Sequence, residues 1–259
     1  MKTFQSSHIA TALLLIVSAN AHAITNGTFD GNKHPAVGAL VDYDSRGTVY
    51  AFCTGTLISP TVMLTAAHCN PGVERVTVTF EAVVQNAAVI HTGRYIPHAN
   101  YRAAQDDPHD IAVIVFDRPI TGITPAKLPT AGLFDTLKAN GLLNGTHYTA
   151  AGYGGQERTF DGKGKPVINY EDKREFSVSA FGALNPAWLR LSQNQATGNA
   201  GTCFGDSGGP NFIGSGSAET SVIGGTTITG DMQCVQSNVV YRLDTPSARA
   251  FLKAFVTLP

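Results

Sequence analysis

Short runs of β-branched and aliphatic residues recur along almost the whole chain, each cut off by Gly, Pro, Asn or Asp. This pattern leaves few folds open. Residues 36–41, 49–58, 61–66, 74–80, 82–90 and 111–116 form one set of predicted strands. Residues 146–152, 175–180, 188–191, 210–213, 221–227 and 239–243 form a second. Val76 and Val78 alternate with Thr77 and Thr79, as on a half-buried strand, whereas residues 111–116 are almost continuously β-branched, as in a core strand. Between the two sets, residues 119–141 carry prolines and little alternation and read as a crossover. A helical period emerges at the end of the mature chain. Thr245 or Asp244 can cap, Pro246 suits the first turn, and Ala248, Phe251, Leu252 and Phe255 share a face, predicting a helix over about 245–256. The expected class is an all-β barrel or sandwich closed by a C-terminal helix. Hydrophobic residues at 43% can fill its core, and a net charge of −1 gives no electrostatic case for nucleic acid or an anionic membrane.

The first residues follow other rules. Lys2 precedes an apolar run over residues 9–17, and Ala21-His22-Ala23 follows with small residues at its outer positions. This is the pattern of a secretory signal peptide over residues 1–23, ahead of a mature domain over 24–259. The run is too short to span a bilayer. Removing it takes away Lys2 and no acid, which moves the net charge from −1 to −2. Secretion implies an oxidising compartment, in which the four cysteines should pair, in any of three connectivities. Their spacings are not those of a zinc site, and Glu74 and Glu81 read as solvated rather than as a calcium loop. No metal or cofactor is expected. The stretch 156–172, with Gly162-Lys163-Gly164-Lys165-Pro166 at its centre, reads as an exposed loop.

One run carries a chemical possibility: Gly205-Asp206-Ser207-Gly208-Gly209-Pro210. A serine hydroxyl is a poor nucleophile until a base takes its proton and a third group orients that base. His68 follows an apolar strand in Thr65-Ala66-Ala67-His68-Cys69, and Asp110 stands at the mouth of a core strand in His109-Asp110-Ile111-Ala112-Val113. Alone, these residues have ordinary explanations: a Gly-rich turn, a structural histidine, a strand-end cap. Together they occur in the order His, Asp, Ser, which differs from the order in α/β-hydrolases and subtilisins. The remaining mature histidines, His34, His91, His98, His109 and His147, match no motif position.

On the TAAHC, DIAV and GDSGGP segments, with Ala151-Gly152-Tyr153-Gly154 and Val240-Tyr241 in support, the chain resembles the chymotrypsin/trypsin family of serine proteases. The resemblance covers essentially all of residues 24–259. It implies two packed six-stranded antiparallel β-barrels, roughly 24–128 and 129–243, with the site between them and a C-terminal α-helix. It implies disulfides Cys53–Cys69 and Cys203–Cys234. It implies Ser207 as nucleophile, His68 as base and Asp110 as its orienting acid, with the backbone N–H groups of Gly205 and Ser207 as the oxyanion hole. The implied partner is a polypeptide substrate, along with proteinaceous inhibitors, and the chain is expected to be a monomer that contacts neither nucleic acid nor membrane.

Two further expectations rest on that resemblance. Cleavage after Ala23 frees the amine of Ile24, and the family pairs such an amine with the acid before the serine, here Asp206; Thr25 and Asn26 depart from the usual Val-Gly. The primary pocket is expected at Gly201, Thr202, Thr227, Ile228 and Thr229. Its floor position, Gly201, lacks a trypsin-type acid, so an apolar or aromatic side chain is expected over Arg or Lys, with Asp231 as a nearby charge that could alter the choice. Asn26-Gly27-Thr28 and Asn144-Gly145-Thr146 are formal glycosylation acceptors. Two rivals stand beside the protease. One is a non-catalytic relative acting as a secreted binding module, although such relatives normally lose a triad residue. The other is an esterase of another fold, for which the G-x-S-x-G elbow is missing.

Overall fold

A computed structural model describes residues 24–102, 104–156 and 158–259, so the signal peptide expected at 1–23 lies outside the described residues. In chain order the strands are β1 (Thr28–Phe29), β2 (Val37–Tyr43), β3 (Val49–Ser59), β4 (Val62–Thr65), β5 (Arg75–Thr79), β6 (His91–Pro97) and β7 (Ala112–Phe116). Helix α1 (Leu133–Ala139) follows, then β8 (His147–Gly152), β9 (Thr159–Phe160), β10 (Pro166–Val167), β11 (Glu175–Leu184) and β12 (Trp188–Ser192). Strands β13 (Pro210–Ile213), β14 (Ile223–Gly230), β15 (Ser237–Arg242) and helix α2 (Pro246–Leu252) complete the chain.

The strands close into two antiparallel barrels. The first runs β2-β3-β4-β7-β6-β5 and closes through β5 on β2. The second runs β11-β12-β15-β14-β13-β8 and closes through β8 on β11, with β1 added at its edge. Leu40, Leu57, Met63, Leu64, Val78 and Ile114 fill the first barrel with no measurable exposure. The second is filled by Tyr148, Leu189, Leu191 and Val240, with Phe134 of α1 against them. Each such side chain contributes about 1.5–3 kcal/mol through burial. Among the described residues, no helix is long and apolar enough to cross a membrane.

Four segments differ from the pattern read in the sequence. The predicted strand at 82–90 is instead a turn around Val84–Asn86, and the sixth strand of the first barrel is β6. Glycine and proline disguise β6, yet Gly93 is required there: a Cβ would come within 2.6 Å of Ile114 Cγ2 on β7. The crossover at 119–141 contains α1, whose Phe134 N–H donates to the Asp244 carboxylate at 2.9 Å. That cap comes from 110 residues downstream, so no local signal announces the helix. Finally, β1 pairs with β11, which gives the chain's entry segment to the second barrel although sequence placed it in the first. The last helix ends earlier than expected, at Leu252, and dissolves into turns through Val256.

The barrels are joined by buried polar groups as well as by apolar contact. Arg174 is fully buried. Its guanidinium donates to Asp30 Oδ2 at 2.7 Å, to the carbonyls of Val37, Phe80 and Gly31, and to Tyr153 Oη at 3.1 Å. Burial alone would raise the Asp30 carboxyl, but His34 and Arg174 beside it hold it below the usual range. Removing one partner of such a buried pair strands the other's charge. Arg174→Ala is expected to destabilise the protein by about 3–5 kcal/mol. A lower denaturant midpoint at unchanged slope in equilibrium unfolding checks this.

Candidate active site

His68 sits in a single turn, Ala67–Cys69, directly after β4. Its Nδ1 lies 2.8 Å from Asp110 Oδ2, and its backbone N–H donates to Asp110 Oδ1 at 2.9 Å. Both carboxylate oxygens of Asp110 therefore face one residue, which fixes the ring plane and leaves Nε2 directed away from the acid. The turn is held from beneath by Tyr95, whose hydroxyl lies within hydrogen-bond reach of the Ala66 and Ala67 carbonyls. Burial, with Asp110 nearby, pushes the Tyr95 phenol far above its ordinary value, so it stays a neutral donor.

Ser207 arrives from the second barrel. It shares with His68 a cleft of ≈ 790 Å³ between the barrels, also lined by Gly205, Thr202 and Ile228. The Ser207 carbonyl accepts from Thr54 N–H at 2.8 Å, and Thr54 Oγ1 donates to the Gly205 carbonyl at 2.9 Å and accepts from Tyr153 N–H at 3.2 Å. Thr54 is wholly buried on β3, so one first-barrel threonine clamps both ends of the serine loop.

The direction of two amides follows from their carbonyls. In a trans peptide the C=O and N–H point opposite ways. The Phe204 carbonyl is turned back to accept from Gly155 N–H, and the Asp206 carbonyl accepts from Gly209 N–H. The N–H groups sharing those peptides, on Gly205 and Ser207, point the other way. Gly205 has φ +99°, and a Cβ on it would lie 2.8 Å from Gly154 Cα. Gly208 has φ +83°, and a Cβ there would strike Thr65 Oγ1 at 2.1 Å. These two positions admit no other residue.

Asp206 is buried behind the serine. Its oxygens accept from Gly154 N–H and Cys203 N–H, each at 2.8 Å. A Cβ on Gly152 or Gly154 would come within 2.5 Å of this carboxylate, which explains both glycines of the 151–154 segment. Burial, opposed by the two N–H donors and reinforced by the charge of Glu175, raises the Asp206 carboxyl to about 7. The fully buried Ile24 does not donate to Asp206. Its backbone nitrogen bonds Glu175 Oε2 at 3.2 Å. Sequence reading missed Glu175, because an acid opening a strand resembles a solvated end.

The disulfides join Cys53 to Cys69 and Cys203 to Cys234. His68 converges with the first pair of sulfurs, but sulfurs bonded to each other offer no thiolate for a metal. In the pocket, Thr202, Thr227, Ile228 and Thr229 line the cleft, while Gly201 lies behind it. A Cβ on Gly201 would be 1.9 Å from Gln193 Oε1, and that amide instead accepts from Thr202 N–H at 2.6 Å. Gln193 thus supports the floor, a role no motif signals. The Thr227 hydroxyl is turned into the second barrel, where Asn211 donates to it at 2.9 Å. Asp231 is not a free charge on the pocket wall. Its carboxylate accepts from the N–H groups of Gln233, Val235, Gln236 and Ser237. Burial would raise it, but these donors outweigh burial and hold it below the usual carboxylate range.

The family's sequence pattern runs through this fold. The trypsin family model matches residues 27–251. The chain belongs to the trypsin family of serine proteases. Among its relatives, it is 32% identical over 171 residues to a brachyurin of Leptuca pugilator, covering 61% of this chain and 70% of that protein. It is 28% identical over 190 residues to a trypsin of Saccharopolyspora erythraea, covering 70% of this chain and 77% of that one. Within this trypsin-like fold, Thr54 is the residue whose replacement isolates the clamp on the serine loop. Thr54→Val keeps the shape but removes the hydroxyl that bonds Gly205 and Tyr153. It is expected to cost about 1–3 kcal/mol, because two buried groups lose their partner. Chemical denaturation measures the loss.

Proposed function

We propose that the protein is a secreted serine endopeptidase acting through His68, Asp110 and Ser207 and an acyl-enzyme intermediate. The observation that carries this reading is the pairing of His68 Nδ1 with Asp110 Oδ2 on the cleft that also holds Ser207. Ser207 Oγ attacks the scissile carbonyl carbon while its proton passes to His68 Nε2. The carbonyl oxygen takes the negative charge and is held by the N–H groups of Gly205 and Ser207. His68 then gives its proton to the leaving amine as the C–N bond breaks, and Asp110 stabilises the imidazolium throughout. A water molecule repeats the sequence against the acyl-enzyme, with His68 again as base, and frees Ser207. A polypeptide is the substrate, and proteinaceous inhibitors would occupy the same cleft.

The preferred side chain at the primary pocket is apolar or aromatic. Ile228 and the exposed Met232 line the cleft, Gly201 brings no acid, and the Asp231 carboxylate is engaged by backbone donors. Arg or Lys would meet no acid at the floor position, and the Asp231 carboxylate on the cleft wall already has its oxygens engaged by backbone N–H donors, so a buried cation there would be poorly matched. The two disulfides suit export to an oxidising compartment, with residues 1–23 as the leader. Removal of that leader exposes Ile24 with no further activation peptide, so the exported protein is active as processed. Amino-terminal sequencing of active enzyme should read Ile-Thr-Asn-Gly. A later start sinks this point.

An organophosphate is expected to label Ser207 stoichiometrically, and Ser207→Ala should lose label and peptidase activity together, by roughly 10⁴-fold or more in kcat. Processed, folded protein that resists the label would instead be a non-catalytic relative. A peptide library should give cleavage after apolar or aromatic residues; dominant cleavage after Arg or Lys overturns that specificity. Activity should also fall at alkaline pH. A free α-amine has a reference pKa of ≈ 7.7–8.0. Pairing with a buried carboxylate raises it, so the ion pair is complete below the reference value. It is lost as pH climbs through the raised one.

A further inference from the structure

The entry of the mature chain is built more tightly than a connecting segment requires. Ile24 to Gly27 form a closed turn, with Gly27 N–H donating to the Ile24 carbonyl at 2.6 Å and Asn26 at φ 51°. Asn tolerates that left-handed conformation better than most residues, which suits Asn26 to the turn. A Cβ on Gly27 would sit 2.7 Å from Glu175 Oε2 and 2.8 Å from Ile24 Cβ, so the turn is wrapped directly around the Glu175 carboxylate. Thr25 bridges to Gly201, immediately behind the pocket residue Thr202.

Glu175 is itself only 1% exposed. Its position on β11 pairs it with Phe29 on one side and Gly152 on the other. Gly152 is also the residue whose missing side chain makes room for Asp206, since a Cβ there would lie 2.2 Å from Asp206 Oδ1. The two buried carboxylates therefore approach each other around one glycine, and the Glu175 charge is felt at Asp206. Among the described residues, Lys173, which is bonded to Glu171, also feels the Glu175 charge, and Tyr170 feels that of Asp206. The guanidinium of Arg174 is committed to Asp30 and first-barrel carbonyls.

We propose that Glu175 is the first carboxylate to receive the Ile24 α-ammonium, so that Glu175 and Asp206 form a two-acid receptor in place of a single aspartate. This rests on the reading that the mature chain begins at Ile24. Before cleavage the Ile24 nitrogen is a neutral amide that donates one hydrogen bond to Glu175. Hydrolysis of the bond from Ala23 adds water across it, with hydroxyl going to the Ala23 carbonyl carbon and hydrogen to the Ile24 nitrogen. The amine takes up one further proton and becomes a cation between two acids. Glu175 is thus a positioning residue. It holds the amino terminus, and the Thr25–Gly201 bridge carries that position to the pocket floor.

The test uses the full exported chain carrying Ser207→Ala, which removes self-digestion and any dependence on activity. Mass spectrometry first establishes the amino terminus. Competitive acetylation with acetic anhydride across pH then gives the pKa of the Ile24 amine. It is expected well above the free-amine reference of about 8. Glu175→Gln should lower it by about one unit, a tenfold change, and Glu175→Asp should restore part of the shift. With Ser207 intact, Glu175→Gln should move the alkaline limb of kcat/KM down by the same amount and raise KM. An amine pKa that Asp206→Asn lowers and Glu175→Gln leaves unchanged overturns this inference alone. A mature terminus other than Ile24 overturns both it and the reading beneath it. If Glu175→Gln does not fold, Glu175→Asp carries the same comparison, and an unchanged amine pKa there counts against the proposal.

Discussion

A carboxylate buried directly behind Ser207 sets the terms for the rest of this structure. Asp206 is 1% exposed and must be satisfied without water. Its side chain takes two backbone N–H donors, its carbonyl takes a third, and two glycines of the 151–154 segment are cleared for it. The bond from Gly209 to the Asp206 carbonyl turns the Ser207 N–H the opposite way, and the Phe204–Gly155 bond does the same for the Gly205 N–H. The geometry of the serine loop is therefore a consequence of how an acid is solvated by backbone. Burial raises the Asp206 carboxyl, and the charge of Glu175, brought alongside by the closing pair of the second barrel, adds to that rise. The turn that begins at Ile24 is wrapped against Glu175, with the Ile24 nitrogen bonded to its carboxylate.

The two barrels are held in register by polar contacts that bracket this region. Arg174 spans from the second barrel to the carbonyls of Val37 and Phe80, and Tyr153 reaches the same first-barrel edge. Thr54 crosses in the other direction to the carbonyls of Ser207 and Gly205. Because buried polar groups are directional, they fix the relative position of His68 and Ser207 more tightly than apolar contact could. The same residues that stabilise the molecule thereby position the cleft. Asp231 on the pocket wall and Gln193 behind the floor act likewise, each engaging its side-chain polar atoms with backbone groups.

Most strands were legible because burial on one or both faces forces a period of two or a β-branched run. Where a strand's face was occupied by glycine against a neighbour, as at Gly93 in β6, the pattern vanished and the apolar stretch before it drew the assignment instead. Helix α1 was hidden for a related reason, since its cap is the distant Asp244. The site residues divide in the same way. His68, Asp110, Ser207 and Gly205 stand in motifs, because chemistry at a serine restricts residue type locally. Thr54, Tyr95, Gln193 and Glu175 stand in none. Each acts through a backbone group or charge remote in sequence, and a threonine or glutamate on a strand has no local signature for that work.

By itself the sequence determined that the chain is built of two sets of strands and that it belongs with the trypsin family, and it singled out the motif residues around which the candidate site is built. These follow from short-range rules: side-chain period, turn chemistry and motif spacing. The tertiary structure alone decided what faces what. It placed Gly201 behind the pocket, spent the Asp231 charge on backbone amides, and turned the Ile24 nitrogen toward Glu175. The physical reason is that partners for buried charges and orphaned amides are chosen by packing across the barrels. Their separation along the chain, 151 residues between Ile24 and Glu175, carries no trace of that choice.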